Sequence, residues 1–166
     1  MKYWISIGSN IEPRLWYIRK ALEIISEIAE IKKVSSVYES ESFGFESHDF
    51  LNICSLIETD LMPETLVRFF KRVETMLGRD PKTTYASRFF YEPRPVDIDV
   101  IFWEQGTYEK GDIVIPHPQS HRRKFVLIPL IEMREDIVHP TLMKRLSEIL
   151  SEIEDDSWII KVFYEI

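Results

Sequence analysis

Asp49–Thr59 reads DFLNICSLIET, and its period of two puts Phe50, Asn52 and Cys54 on one face of a strand and Leu51, Ile53 and Ser55 on the other. Upstream, Ile31–Tyr38 (IKKVSSVY) reads as another strand. Between Glu12 and Glu30, Leu15, Ile18, Leu22, Ile25 and Ile28 recur at the three- and four-residue steps of a helix with one buried stripe, and Pro13 falls in its first turn. Lys2–Ile7 is short, aromatic and β-branched and runs into the turn cluster Gly8-Ser9-Asn10. Downstream, Pro63 opens a second helix carrying Leu66, Phe69, Phe70, Val73 and Leu77, Gly78 stands where it should end, and Val96–Trp103 (VDIDVIFW) is a further strand. The order β-α-β-β-α-β over roughly the first hundred residues is the split βαβ arrangement. The expected fold is therefore α+β, a ferredoxin-like antiparallel sheet with helices packed mainly on one face. A short strand at Ile113–Ile115, helices over Arg123–Met133 and Leu142–Ile153 and a last strand at Trp158–Tyr164 form a C-terminal helical appendage.

The 166 residues are 45% hydrophobic and 30% charged, which suits a single domain over residues 1–166 whose core needs no metal or disulfide. Cys54 is the only cysteine and lies in an apolar run, so there is no disulfide framework within the chain. The first residues lack the apolar core of a signal peptide, and no later run approaches the ~20 apolar residues of a membrane span. We expect a soluble, cytoplasmic monomer. A net charge of −7 argues against nucleic acid and membrane surfaces as partners. The positive charge is nonetheless gathered in Arg79–Arg94 and Arg122–Lys124.

Asp97 and Asp99 share one face of their strand, Cα atoms about 6.6 Å apart. Two carboxylates that close need a cation or donors between them. Oxygen ligands on a rigid strand suit Mg²⁺, which fills its remaining positions with water and substrate phosphate. On the D-I-D pattern alone, a solvated edge strand is an equal reading. The preceding loop tips the balance, because Arg79, Lys82, Arg88, Tyr91 and Arg94 cluster there in an otherwise acidic chain. Guanidinium groups match phosphate oxygens in a forked geometry. Carboxylates beside an arginine-rich loop equip a site for phosphoryl transfer. His117, between two prolines, sits in a rigid turn from which its ring can reach a phosphate or a carbonyl. Phe50 and Asn52 set an aromatic plane beside an amide, which suits a flat heteroaromatic ligand, although Phe50 reads equally well as core. His48 and His139 stand in loops without partners at ligand spacing and read as structural or surface positions. Neither G-x-x-x-x-G-K-[ST] nor G-x-G-x-x-G occurs.

The ordered set Ile7-Gly8-Ser9-Asn10, Phe50-Leu51-Asn52, Gly78-Arg79, Pro93-Arg94-Pro95-Val96-Asp97-Ile98-Asp99 and Ile115-Pro116-His117-Pro118, followed by Arg123-Lys124-Phe125, resembles the 6-hydroxymethyl-7,8-dihydropterin pyrophosphokinases of folate biosynthesis. The resemblance runs over roughly residues 2–152. It implies transfer of the β,γ-pyrophosphoryl unit of ATP to the pterin hydroxymethyl group, with release of AMP and use of two Mg²⁺ ions. By position, it implies Asp97 and Asp99 as metal ligands and Arg79 and Arg94 as arginines acting on ATP and the transferring group. It implies Asn52, Phe50 and Phe125 as the pterin reader and stacking pair, with Ser42 and Phe43 giving backbone contacts to the pterin. Lys71, Glu74, Arg88, Tyr91, His117 and Arg123 fall on the nucleotide side. Glu92 replaces a small residue usual in the family, and Asp112 stands where some members have arginine.

Two other classes compete. A noncatalytic ferredoxin-like ligand-binding module, or a single-stranded RNA binder of similar topology, would show aromatics on adjacent central strands and a basic surface, whereas this chain has carboxylates there. A metal-dependent phosphohydrolase would use the same aspartates without requiring Phe50, Asn52 and Phe125.

Overall fold

The computed structural model describes residues 1–41, 48–80, 93–134 and 136–166. Its elements are β1 (Lys2–Ser9), α1 (Arg14–Ile25), β2 (Glu30–Val34), β3 (Val37–Ser40), β4 (Phe50–Glu58), α2 (Pro63–Met76), β5 (Asp97–Trp103), β6 (Tyr108–Lys110), β7 (Ile113–Ile115), a 3₁₀ turn (Ser120–Arg122), α3 (Lys124–Met133), α4 (Leu146–Glu152) and β8 (Ile159–Val162). The main sheet runs β5-β1-β4-β3-β8, with β2 also on β4 and every pair antiparallel. This is the α+β, ferredoxin-like arrangement expected from the element order. β6 and β7 form a separate hairpin.

The alternation in β4 is realised. Leu51, Ile53 and Ile57 join Tyr3, Ile5, Ile7, Ile98 and Val100 in a core with Ile18, Leu22 and Ile25 of α1 and Leu66, Phe70 and Val73 of α2. On the opposite face Cys54, Ile101 and Phe102 pack against Val126, Leu127 and Leu130 of α3 and Leu146 and Ile149 of α4. One sheet thus supports two cores. Ile101 has no partner in the β1–β5 register, where the pairing shifts between Trp4 and Ile5. This bulge lets Ile101 and Phe102, adjacent in sequence, both enter the α3 side.

Three expectations shift. Ile31–Tyr38 is two strands, because Ser35, Ser36 and Val37 stand against only Ile53 and Cys54 between the pairs Val34↔Ser55 and Tyr38↔Asn52. Ser35 fills the break, its Oγ accepting the Cys54 N–H at 3.0 Å. The helix expected from Leu142 begins at Leu146, because His139–Lys144 forms a tight reversal with Met143 at φ 53° and the Arg145 N–H is held by Glu148 at 2.9 Å. The first helix ends at Ile25, although Ile28 still packs on the core and so prolongs the apolar period. The C-terminal segment does form a strand: β8 pairs with β3, and Lys161 reaches Glu132 at 2.9 Å. No helix among the described residues is long and apolar enough to cross a membrane.

Candidate active site

Register builds the floor of the site. Gly8 of β1 pairs with Asn52 on one side and Asp97 on the other, and Ser6 pairs with Cys54 and Asp99. These two rows lie on the face that α3 covers only from Cys54 onward. The uncovered part is a cleft lined by Ser6, Gly8, Asn52, Asp97, Asp99 and Ile101 below and by Ser40, Glu41, Phe50, Arg94, His117, Arg123, Phe125 and Val126 around.

At one end, Asn52 is 2% exposed and its Nδ2 donates to Ser40 Oγ at 2.8 Å. That bond fixes which way the amide points. A Cβ on Gly8 would lie 3.0 Å from Asn52 Oδ1 and 3.6 Å from Phe50, the first tighter than an ordinary contact, so a side chain there presses on the amide. Across the cleft, Phe125 carries the Arg123 guanidinium 5.5 Å above its ring, and Arg123 also donates to Gln119 Oε1 at 2.5 Å.

At the other end, α2 closes with a Schellman turn. Gly78 adopts φ 101°, its N–H bonds to Thr75 O and the Arg79 N–H to Glu74 O. The reversal folds Arg79, 8% exposed, back over its own helix, where one nitrogen donates to Glu74 Oε2 at 2.6 Å and to Asp97 Oδ1 at 2.7 Å. Arg94 donates to the other Asp97 oxygen at 3.0 Å. Glu74, only 1% exposed, also accepts from Lys71 at 2.9 Å and from the Ile98 N–H at 2.8 Å. Burial pushes the Glu74 carboxyl above its ordinary value, while Lys71 and Arg79 pull the other way. Burial acts in the same sense on Asp97, but there Arg94, Lys71 and Arg79 prevail and hold it well below the usual carboxylate range. Burial works to lower Lys71, yet Glu74, Asp99 and Asp97 keep it above its ordinary value. His117 Nε2 lies 4.0 Å from Asp99 Oδ2, and burial holds the ring below its ordinary value against the pull of that carboxylate.

The structure therefore gathers Phe50, Asn52, Phe125, Asp97, Asp99, Arg94, His117 and Arg123 around one cleft, with Arg79 beneath Asp97 and Lys71 joined through Glu74. Glu74 was expected on the nucleotide side. Its burial and its engagement by three protein donors place it below the surface instead, in contact with Arg79, Lys71 and the backbone between the two aspartates. Ser42, Phe43, Arg88 and Tyr91 lie outside the described residues. His139 is buried, with Nδ1 accepting from the Thr141 and Leu142 N–H groups at 3.3 Å, and is a structural residue.

Sequence reasoning gave no site role to Ser40 or Asn10. Asn10 Oδ1 accepts the Arg94 N–H at 2.7 Å and the Asn10 N–H reaches Arg94 O at 3.3 Å, pinning the backbone that carries the cleft arginine. An asparagine closing the Gly8-Ser9-Asn10 cluster at the end of a strand was the available signal.

Among the described residues, no group of three or more His, Cys, Asp or Glu side chains is gathered to hold a metal ion. Two strand carboxylates with the remaining positions left to phosphate and water fit Mg²⁺ arriving with a nucleotide, and do not fit a closed protein cage.

Residues 4–135 match the family model described as 7,8-dihydro-6-hydroxymethylpterin-pyrophosphokinase (HPPK). The chain is 36% identical over 150 residues to the 2-amino-4-hydroxy-6-hydroxymethyldihydropteridine pyrophosphokinase of Aquifex aeolicus, covering 90% of each chain. To the protein of that name in Bacillus subtilis it is 33% identical over 137 residues, covering 81% of this chain and 78% of the other. The fold is similar to that of the Plasmodium falciparum HPPK-DHPS crystal structure, with a TM-score of 0.71 at 13% identity over 91% of this chain, which spans 40% of that longer one. A match of this extent, on a chain whose cleft carries the motif residues, shows that the protein belongs to the 7,8-dihydro-6-hydroxymethylpterin-pyrophosphokinase family.

Proposed function

We propose that this chain, as a single catalytic domain, transfers the β,γ-pyrophosphoryl unit of ATP to the hydroxymethyl group of 6-hydroxymethyl-7,8-dihydropterin, giving AMP and the pterin diphosphate in folate synthesis. The observation that supports this reading best is the composition of one cleft. An amide and two aromatic rings line it together with a carboxylate pair, of which Asp97 is paired to two arginines.

Phe50 and Phe125 stack on the pterin while Asn52, oriented by Ser40, reads its polar edge. The hydroxymethyl oxygen then points along the floor towards Asp97 and Asp99. That oxygen attacks the β-phosphorus of ATP, the bond from that phosphorus to the α,β-bridging oxygen breaks, AMP leaves with the electron pair, and the hydroxyl proton is released. Such a transfer asks for in-line placement and charge neutralisation more than for an acid–base pair. Arg94 and Arg123, with His117, supply donors for the phosphate chain, Lys71 lies towards the nucleotide, and Arg79 steadies Asp97 from below. Asp97 and Asp99 would hold Mg²⁺, two ions in our reading, which supply charge neutralisation on the phosphates. Glu74 acts by positioning.

The test is the nucleotide product formed with and without pterin. AMP appearing only when ATP, Mg²⁺ and the hydroxymethylpterin are all present supports the reading. ADP and orthophosphate, or turnover indifferent to the pterin, would refute it.

A further inference from the structure

The β3–β4 ladder ends on the pair Ser40↔Phe50. This last rung carries much of the ligand-reading end of the cleft, because Phe50 lines it and Ser40 Oγ holds the Asn52 amide. A terminal rung opens more readily than the middle of a sheet unless something outside the ladder holds it. Arg14, the first residue of α1, does so from a side chain only 16% exposed. The same guanidinium nitrogen lies 2.7 Å from Glu39 Oε1, in the strand just before the rung, and 2.7 Å from the carbonyl oxygen of Asp49, the residue just after it. Its Nε donates to Glu12 Oε1 at 2.7 Å, and Glu12 also accepts the Arg14 N–H, so the fork is held in orientation from its own turn.

We propose that Arg14 is a positioning residue for the pterin: it locks the Ser40–Phe50 rung by bridging β3 to the start of β4, and thereby presets Phe50 and the Asn52 amide before the ligand arrives. It touches no substrate in this arrangement and acts through Glu39 and Asp49. The proposal rests on the functional reading above. Preorganised groups bind more tightly because the ordering cost is met before binding. The bridge is made by one nitrogen that the Nε contact to Glu12 keeps in orientation, and lysine, a single point charge on a flexible stem without that second donor, is a poor replacement.

The test is steady-state AMP formation by the full chain and its Arg14→Met, Arg14→Lys, Glu39→Gln and Arg14→Met/Glu39→Gln variants, with melting curves to check folding. We expect KM for the pterin to rise about tenfold in Arg14→Met, equivalent to about 1.4 kcal/mol. KM for ATP and kcat should stay within about twofold. Arg14→Lys should recover less than half of the loss, Glu39→Gln should raise the pterin KM by a smaller factor, and the double variant should be no worse than Arg14→Met, as two residues acting through one contact require. An unchanged pterin KM in folded Arg14→Met overturns the proposal, as does a parallel loss in pterin KM, ATP KM and kcat, which is what general loosening gives. If Arg14→Met does not fold, Glu39→Gln decides, and an unchanged pterin KM there overturns it. A wild-type chain without pterin-dependent AMP formation overturns the functional reading and the pterin role of Arg14 together, whereas an active wild type with unaffected variants removes Arg14 alone.

Discussion

Replacing Glu74 by alanine tests the interior of the site most directly. The carboxylate accepts from Arg79, Lys71 and the Ile98 N–H, and it is 1% exposed. Losing it strands a buried N–H, which costs about 1–3 kcal/mol by itself. Removing one partner of a buried ion pair costs about 3–5 kcal/mol, a figure that already includes the stranded charge. Arg79 keeps Asp97, and Lys71 is exposed enough to turn to water, so the two costs overlap. The expected loss is therefore about 3–5 kcal/mol, which at this chain length lowers the melting temperature by about 10 °C. Glu74→Gln keeps an acceptor for the Ile98 N–H and should lose about half as much. Urea unfolding at neutral pH, followed by tryptophan fluorescence and checked by calorimetry, measures both. A Glu74→Ala chain within about 1 kcal/mol of wild type would refute the reasoning. So would equal losses in the two variants, since the backbone bond would then contribute nothing. Turnover should fall in both, because Arg79 would no longer be held from two sides.

Three further outcomes follow from the geometry. Gly8→Ala should weaken pterin binding at least tenfold in calorimetric titration with little change for ATP, because its Cβ would meet Asn52 Oδ1 at 3.0 Å; unchanged pterin affinity would remove the amide from the pocket. Asp99→Asn should abolish AMP formation while the melting temperature stays within a few degrees of wild type, and residual activity above about a tenth would show that this carboxylate is not a metal ligand. His139 is held down to about 4 by burial and by His121, so between pH 6.5 and 4 the unfolded chain binds the extra proton and stability must fall as the pH falls. Wild type should lose on the order of 2 kcal/mol more than His139→Gln between pH 6.5 and 5 in urea titrations, and parallel pH curves for the two would contradict the assignment.

Much of this architecture was readable in the sequence because it depends on local period. The alternation of DFLNICSLIET and VDIDVIFW fixes which residues face which layer, and the Leu77-Gly78-Arg79 ending announces the helix stop that folds Arg79 inward. What escaped depends on contacts between distant elements. Glu74 looks like any polar residue one turn from Lys71, and only the arrival of β5 over α2 turns it into the acceptor for Ile98. Ser40 reads as the end of a strand until register sets it beside Asn52. The Ser35-Ser36 break was invisible because two serines continue a β-branched run without a turn residue, and the hydroxyl that replaces a rung is seen only with Cys54 in place.

The two rows of the floor rest on β1, which is hydrogen-bonded along both edges and packed on both faces. Amide exchange should be slowest there, and the carboxylates on β5 and the amide on β4 are each paired directly to this strand. The walls come from strand ends, the turn after β7 and the first turn of α3, segments that tolerate change better than a central strand does. Among these wall residues Phe50 and Phe125, which carry no charge, are open to exchange that reshapes the stacking end of the cleft while the floor keeps the spacing on which transfer depends.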